Sequence, residues 1–484
     1  MNTNEQRMID CFLPQSAGDE TRQTAEALRQ AAVVAGVCVL PGDSPLFSSA
    51  TVRFIAGACR SEYVLVCVRP DVAVRPHPGA LRRMVQAATD SGAGLLYTDR
   101  RLERDGQVTE APLIDYQQGS LRDDFEFGAF LLFRSEAFRQ AAEEMKSDYR
   151  YAGLYDLRLR LSRRWPVVHL PESLYTEVEG EGSSGTGHFD YVDPRNRAAQ
   201  LEMEQACTEH LKAIGAYLPP RFDAWKPDET DEGPFTCEAS VIIPVRNRAR
   251  TIGDAIRSAL GQKADFAFNV IVVDNYSTDG TRATINALRG DPRLVCLEPP
   301  VRGLGIGGCW NVAVGHPACG RFAVQLDSDD LYNGPNTLAT IVRAFREQQC
   351  PMVVGAYLTT DFALSPIAPG LVDHREWTEE NGRNNLLRVN GLGAPRAFYT
   401  PLLRRLRFPD TSYGEDYAVG LAMSRHYRVG RIFEPLYLCR RWEGNSDASP
   451  DVHTRNARNL YKDRLRTWEL QARIRSNRQQ SPLP

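Results

Sequence analysis

Long apolar runs, paired cysteines and an excess of charge are all missing from this sequence. No run approaches the length of about 18 apolar residues that a membrane-spanning helix needs, and residues 1–22 lack the basic-then-apolar order of a secretory signal. The 11 cysteines are scattered, without a Cys-x-x-Cys pair, which argues against a disulfide framework or a zinc site. We therefore expect a cytoplasmic protein with no transmembrane segment, for which peripheral contact with a membrane stays open.

The charge balance and the composition narrow the class of protein further. A net charge of −3 gives no electrostatic reason to expect nucleic acid as a partner. With 42% hydrophobic and 25% charged residues, the composition is that of a soluble globular protein. The length of 484 residues predicts two domains or more.

Strand and helix patterns alternate along the second half of the chain. The apolar runs at 239–245 and 269–274 have the length of buried strands, and the residues between them predict a helix. Such alternation favours an α/β fold with a mostly parallel sheet flanked by helices. The Gly- and Ser-rich residues 179–187 and the Pro- and acid-rich residues 219–236 predict joints, with a helix at about 195–216 between them.

The two halves of the chain repeat similar features in the same order. Asp71 and Asp156 in the first half have nearly the same spacing as Asp329 and Asp416 in the second. A strand pattern containing Leu-Tyr follows each pair. The sequence therefore predicts a diverged internal duplication, and hence two related modules.

Three carboxylates follow the apolar run at 322–326. Asp327, Asp329 and Asp330 repel one another unless a cation or hydrogen-bond donors answer them. Mg²⁺ and Mn²⁺ prefer oxygen ligands, and they commonly bridge one or two carboxylates to the phosphates of a substrate. The pattern predicts a divalent metal and a phosphorylated ligand, with a helix cap as the structural alternative.

Two other strand ends carry polar residues that could meet the same ligand, because open α/β sheets bind ligands beyond the carboxyl ends of their strands. One end reads Pro244-Val245-Arg246-Asn247. The other begins at Asp274, whose carboxylate can accept a hydrogen bond from a nucleobase imide or a ribose hydroxyl. The Ser277-Thr278-Asp279 segment after it is typical of a helix N-cap.

Five motifs of the second half stand in an order that resembles a known family. They are SVIIPVRN at 240–247, VVDNYSTDGT at 272–281, GCWN at 308–311, LDSDD at 326–330 and GED at 414–416. From about residue 239 to 445 the sequence is similar to family-2 glycosyltransferases of the GT-A fold. The whole chain resembles a subgroup in which a reduced, related module precedes the catalytic one. The resemblance implies a degenerate GT-A-like module at 1–178, a linker with a connecting helix at 179–236, a catalytic domain at 237–445 and a helical tail at 446–484.

The resemblance also implies roles for individual residues. Asp416 is the expected general base for an acceptor hydroxyl, in a displacement that inverts the anomeric carbon. Asp329 is the expected metal contact, with Asp327 as a second one that lies nearer the ribose. The expected donor-binding residues are Pro244, Arg246, Asn247, Asp274, Asn275, Asn311, Asp327 and Arg441.

The implied reaction moves a sugar from a nucleotide-sugar donor, first of all a UDP-sugar, to a hydroxyl of a glycan, a lipid-linked or another acceptor. The implied cofactor is Mn²⁺ or Mg²⁺, and the implied context is surface glycan or glycoconjugate synthesis. Arg441 and Trp442 match a motif of processive members, but Leu438 stands where those members have Gln. We therefore expect a non-processive enzyme.

Other interpretations stay open. Gly303, Gly305 and Gly308 form a G-x-G-x-x-G pattern with Asp327 beyond it, which mimics a dinucleotide-binding fingerprint, although residues 298–302 separate it from the preceding strand. A nucleotidyltransferase that makes sugar nucleotides and a non-catalytic glycan-binding scaffold are the alternative functions. In the first half, Asp71 and Asp156 are expected to be relics or caps, in a module that packs on the catalytic one or binds an acceptor chain.

Overall fold

A computed structural model describes residues 7–16, 18–41, 45–179, 197–226, 235–445 and 450–480. The chain divides into two compact units. The first holds the described residues up to Tyr217, together with Leu387–Val389 and those from Asp451 on, and the second holds the rest. Most of the predicted Gly- and Ser-rich joint, and the middle of the predicted linker, lie outside the described residues.

The first unit combines strands and helices along its whole length. Its strands are β1 (Ile9–Leu13), β2 (Val34–Val39), β3 (Tyr63–Cys67), β4 (Val72–Pro76), β5 (Leu95–Thr98), β6 (Arg100–Arg104), β7 (Gln107–Ala111), β8 (Phe130–Arg134), β9 (Val167–Leu170) and β10 (Tyr175–Glu179). Its helices are α1 (Glu20–Arg29), α2 (Ser49–Ala58), α3 (Ala80–Ser91), α4 (Ser135–Glu143), α5 (Gly153–Leu161), α6 (Arg197–Ala213) and, from the end of the chain, α14 (Val452–Gln480).

Two sheets organise this unit. The larger has the order β2-β1-β3-β8-β5-β9, and the smaller has the order β4-β10-β6-β7. Every residue of β3 is buried, as expected of a central strand with both faces covered. Side-chain packing on both faces of the larger sheet forms the core of the unit.

The C-terminal helix α14, which the sequence predicts as part of a helical tail at 446–484, belongs to the first unit. Ser120 donates a hydrogen bond from Oγ to Oδ2 of the buried Asp463 at 2.9 Å, and the Gly119 amide donates to Oγ1 of Thr467 at 2.9 Å. A Cβ at Gly119 would collide with the α14 backbone, so the helix and this loop approach as closely as glycine allows. No helix in the described part of the chain is long and apolar enough to cross a membrane.

The second unit has the same mixture of elements. Its strands are β11 (Ala239–Val245), β12 (Phe268–Asp274), β13 (Leu294–Leu297), β14 (Phe322–Gln325), β15 (Leu331–Tyr332), β16 (Met352–Thr360), β17 (Pro366–Val372), β18 (Arg396–Tyr399) and β19 (Val429–Arg440). Its helices are α7 (Ile252–Leu260), α8 (Thr281–Asn286), α9 (Ile306–Gly315), α10 (Thr337–Glu347), α11 (Gly382–Asn385), α12 (Thr400–Leu406) and α13 (Glu415–His426).

One sheet of nine strands carries this unit, in the order β13-β12-β11-β14-β18-β16-β19-β15, with β17 paired to β16. The predicted α/β class is confirmed. Pairing is parallel from β13 to β14, where the predicted site lies, and β16 and β19 are also parallel. The other pairings are antiparallel, so the sheet is mixed rather than mostly parallel. A short loop joins β16 to β17, and such a connection permits only an antiparallel pair.

The larger sheet of the first unit and the sheet of the second share a path of six strands. The order β2-β1-β3-β8-β5-β9 corresponds to β12-β11-β14-β18-β16-β19, and the strand directions agree at each step. The register also agrees. The corresponding pairs are Ile9–Tyr63 and Ala239–Phe322, Val64–Phe133 and Ala323–Phe398, Leu95–Phe133 and Met352–Phe398, and Leu95–Val167 and Met352–Val429. Common descent of the two modules stays a prediction, which this agreement supports.

Candidate functional site

A cavity of ≈ 370 Å³ opens in the second unit, beyond the carboxyl ends of β11, β12 and β14. This is the edge of an α/β sheet at which ligands bind. Its charged lining consists of five carboxylates and four guanidinium groups: Asp327, Asp329, Asp330, Glu415 and Asp416, with Arg246, Arg248, Arg396 and Arg441. The cavity therefore offers both the carboxylates that a metal needs and the cations that a diphosphate needs.

Asp327 lies two residues after the end of β14 and faces the cavity. Both of its carboxylate oxygens accept from Nε2 of Gln325 at 3.0 Å, and its backbone N–H donates to the hydroxyl of Tyr437 at 3.0 Å. Burial raises the pKa of Asp327, an effect that the nearby Arg396 opposes.

Asp329 and Asp330 are held by the last residue of β19 and by the segment that follows it. Oδ2 of Asp329 accepts from Nδ2 of Asn445 at 3.2 Å and lies 3.7 Å from Nε of Arg248. Asp330 is buried, and its Oδ1 accepts from the backbone N–H of Arg440 at 2.8 Å. Burial raises the pKa of Asp330, and the negative charges of Asp329 and Asp327 raise it further. A cation in this corner would relieve both the repulsion and the burial cost.

Asp416 lies at the start of α13, on the cavity wall. Its Oδ2 pairs with Nη1 of Arg396 at 2.8 Å, and its Oδ1 accepts from the Tyr417 backbone N–H at 2.8 Å. Burial, followed by repulsion from Asp416, raises the pKa of the adjacent Glu415 to about 8. At neutral pH Glu415 is therefore mainly protonated.

The cavity brings together most of the residues predicted for donor binding. Pro244, Arg246, Asn275 and Arg441 line it, as do Asp327 and Asp329. Nδ2 of Asn275 donates to the Leu304 carbonyl at 2.7 Å, whereas its buried Oδ1 has no hydrogen-bond partner among the described residues. A ligand N–H or O–H group could satisfy that oxygen.

Three predicted donor-binding residues do not line the cavity. Asp274 accepts from the Ser277 backbone N–H at 3.0 Å and from Nε of Arg282 at 3.1 Å. Asn247 has a left-handed backbone with φ of 54° and accepts from the Thr278 backbone N–H at 2.8 Å. The side chain of Asn311 exchanges two hydrogen bonds with the Phe408 backbone at 2.8 and 2.9 Å, which is a structural clamp. Their predicted contacts with a donor stay predictions.

Two glycines of the dinucleotide-like pattern, Gly305 and Gly308, serve packing within this unit, and so does Gly307 between them. A Cβ at Gly305, Gly307 or Gly308 would collide with the segment 409–411. That segment also occupies the amides: the Gly305 N–H donates to Oδ1 of Asp410 at 2.7 Å, and the Gly307 N–H donates to the Thr411 carbonyl at 3.0 Å. These two backbone groups are therefore not available to bind a pyrophosphate in the way that a dinucleotide fingerprint requires.

A divalent cation fits the carboxylates at 327–330. The described residues contain no group of three or more His, Cys, Asp or Glu side chains arranged to hold a metal. Mg²⁺ and Mn²⁺ do not need such a group, because they are commonly held by one or two carboxylates with water and substrate phosphates completing the shell. Asp329 and Asp327 would serve as those ligands.

Sequence reasoning did not identify several residues of the site. Gln325 is a polar residue inside an apolar strand, and this was the one signal that could have found it. Arg396 stands in no recognisable motif, although it is the partner of Asp416. Asn445 donates a hydrogen bond to Asp329, from which it is separated by 116 positions in the sequence, and only the fold brings the two residues together.

Comparison with known proteins matches part of the second unit to one family. Residues 240–399 match the model of glycosyl transferase family 2. This match confirms the resemblance that the motifs indicated for that segment. An O-antigen biosynthesis protein, RfbC of Myxococcus xanthus, is 27% identical over 288 residues, which are 57% of this chain and 20% of that protein. The chain thus corresponds to about a fifth of the length of this relative.

Solved glycosyltransferase structures show a more distant likeness. Residues 1–349 of TarS from S. aureus, in complex with UDP-GlcNAc, are 22% identical over 51% of this chain and 68% of that one, with a TM-score of 0.39. The mannosyltransferase PcManGT from Pyrobaculum calidifontis, in complex with GDP-Man and Mn²⁺, is 20% identical over 60% of this chain and 88% of that one, with a TM-score of 0.34.

Proposed function

We propose that the second unit is an inverting, metal-dependent and non-processive glycosyltransferase. It moves a sugar from a nucleoside-diphosphate donor, a UDP-sugar in the first place, to an acceptor hydroxyl. The observation that carries the proposal is the shared cavity, in which the carboxylates at 327–330 and Asp416 line the same space with four arginines. The family-2 match over residues 240–399 supports the same reaction class.

The chain's own residues divide the work of the reaction. The acceptor oxygen attacks the anomeric carbon, the bond from that carbon to the diphosphate oxygen breaks, and Asp416 takes the hydroxyl proton. Arg246 and Arg441, which line the cavity, would bind the diphosphate. A divalent cation held by Asp329 and Asp327 would supply a Lewis acid for the charge that develops on the leaving group.

The wider role is also a proposal. The relative from Myxococcus xanthus is named for O-antigen biosynthesis, which supports a role in surface glycan or glycoconjugate synthesis. The acceptor would be a hydroxyl of a growing glycan or a lipid-linked sugar, reached in the cytoplasm at the face of a membrane.

The first test is nucleotide binding measured by thermal stability. The purified protein is heated with UDP, GDP, nucleotide sugars, nucleoside triphosphates and NAD, each with and without Mn²⁺. A ligand that binds only the folded state increases the free energy of unfolding and therefore raises the melting temperature. At a ligand concentration of 100 times the dissociation constant, the increase in the free energy of unfolding is about 2.7 kcal/mol. We expect a metal-dependent shift with one nucleoside diphosphate and its sugar conjugate, and a much smaller shift for Asp329→Asn.

Other outcomes would overturn the proposal. A shift with NAD that needs no metal would revive the dinucleotide interpretation of the Gly303–Gly308 loop. A shift with a nucleoside triphosphate and a sugar phosphate would favour a nucleotidyltransferase. No shift with any nucleotide, together with binding to a glycan, would favour a scaffold. Donor turnover that survives both Asp329→Ala and Asp416→Asn would exclude this cavity as the active site.

A further inference from the structure

We propose that Arg396 is a positioning residue for the base Asp416, and that Gln325 holds Arg396 and Asp327 in one hydrogen-bonded chain. This inference rests on the proposed function. It specifies which hydrogen bonds connect Asp416, on the acceptor side of the cavity, to Asp327, on the donor side. Neither residue belongs to a motif identified in the sequence.

The contacts form a continuous path across the cavity wall. Nη1 of Arg396 lies 2.8 Å from Oδ2 of Asp416 and 2.9 Å from the Gly393 carbonyl, to which it donates. The backbone N–H of Arg396 donates to Oε1 of Gln325 at 3.1 Å. Nε2 of the same Gln325 donates to both carboxylate oxygens of Asp327 at 3.0 Å. The path therefore joins Asp416 to Asp327 through the side chain and backbone N–H of Arg396 and the side chain of Gln325, and both residues line the cavity.

The first unit shows that the sheet does not need these polar side chains. Gln325 pairs with Ile242 across the sheet, and at the corresponding register position Val66 pairs with Phe12. Arg396 lies two residues before Phe398, and Leu131 lies two residues before the corresponding Phe133. Val66 and Leu131 are buried apolar residues, 1% and 4% exposed.

The polar pair is therefore a departure from what this topology requires. A partly buried guanidinium and a buried amide cost free energy unless they are hydrogen-bonded, and a valine and a leucine fill the same positions of the other sheet without that cost. Such a departure at a cavity wall indicates a functional constraint. The geometry supplies the function, because the guanidinium fixes the Asp416 carboxylate at the cavity wall.

The test compares Arg396→Leu, which installs the residue of the first unit, with Arg396→Lys and with Asp416→Asn. The rate of nucleoside-diphosphate release is measured on UDP-glucose, UDP-GlcNAc and GDP-mannose with Mn²⁺. For Arg396→Leu we expect kcat to fall by about 10- to 100-fold, less than the loss of about 10²- to 10⁴-fold expected when the base itself is removed, with the donor KM changed by less than about twofold. Arg396→Lys should recover part of kcat. The double variant Arg396→Leu/Asp416→Asn should be no slower than Asp416→Asn, because Arg396 acts through Asp416.

The matched control is Arg346→Leu, since Arg346 pairs with Glu238 at 2.6 Å and does not line the cavity. Its kcat should equal that of the wild type. If Arg396→Leu does not fold, Arg396→Gln replaces it, because the glutamine keeps a hydrogen-bonding side chain.

Three results would overturn the inference while leaving the proposed function intact. They are an unchanged kcat in the folded Arg396 variants, a rise in donor KM alone, and losses that multiply in the double variant. A wild-type protein that neither binds nor turns over any nucleotide sugar would overturn the proposed function, and this inference with it.

Discussion

The two units differ in how their acidic side chains are neutralised at corresponding edges of their sheets. In the first unit, after β3, Arg69 pairs with Asp71 at 2.8 Å, and the buried Glu177 forms an ion pair with Arg100, whose Nε lies 3.0 Å away. Here each acid has a protein cation. In the second unit, after β14, Asp327, Asp329 and Asp330 stand together at a cavity with fewer direct ion pairs. The comparison teaches that the same strand order can carry two kinds of sheet edge. At one edge the acidic side chains are paired with arginines of the protein, and at the other a bound cation and ligand would balance their charge.

The largest expected effect is the loss of donor turnover on substitution of Asp416, a role that its counterpart in the first unit is not expected to share. Asp416→Asn removes the proposed base, so donor turnover with an acceptor should fall by about 10²- to 10⁴-fold. Nucleotide binding, measured by thermal shift, should persist because Asp416 serves the acceptor. A variant that keeps wild-type turnover would remove Asp416 from the mechanism and weaken the contrast between the units.

The counterpart, Asp156, should matter for stability. It is fully buried in α5, and both carboxylate oxygens accept from Nε of Arg160 at 2.9 Å. Asp156→Ala leaves the buried Arg160 with Glu209, at 3.0 Å, as its remaining ion-pair partner, which should lower the free energy of unfolding by about 1–3 kcal/mol. Urea denaturation of the full chain measures the loss. Full stability with a loss of turnover would instead give Asp156 a catalytic role and contradict the comparison.

Glu415 should make the second unit sensitive to pH. Burial raises its pKa from 4.5 to about 8, so between these values the folded protein holds a proton that the unfolded chain has released. Stability should therefore fall as pH rises from about 4.5 to about 8, by at most about 1.4 kcal/mol per pH unit for this one group. Glu415→Gln removes the dependence, so the melting temperature of the variant should rise relative to that of the wild type across this window. If the melting temperatures of the variant and the wild type differ by the same amount at every pH in this window, the raised pKa of Glu415 is contradicted.

The smallest effect is expected at Asp71. Its side chain is 43% exposed and pairs with Arg69, so Asp71→Asn should change stability by about 0–1 kcal/mol. It should also leave any metal-dependent nucleotide shift unchanged, which makes it the control for Asp329→Asn. A loss of nucleotide binding at Asp71→Asn would show that the first unit also has a donor site.

The sequence predicted the strands around the site more fully than it predicted which side chains line the cavity. Buried strands at 239–245 and 322–326, and acids directly after the second, follow from short-range apolar patterns, because backbone burial and strand length are local properties. The match of Asp71 to Asp329 shows the limit. The strand register relates the two sheets only as far as Val66 and Gln325, and Asp71 and Asp329 lie beyond these residues, so their match stays a prediction. Spacing along a chain drifts with loop length, whereas register does not.

From the sequence alone came the α/β class, the order of the motifs and the kinds of side chain at the strand ends. These depend on neighbours within a few residues. Only the tertiary structure decided that Asn275 lines the cavity and Asp274 does not, that Asn311 clamps a loop, and that Arg396 pairs with Asp416. Those outcomes depend on pairings between segments far apart in sequence. No local pattern encodes them, because the crossover connections and the register of the whole sheet set which side chains meet.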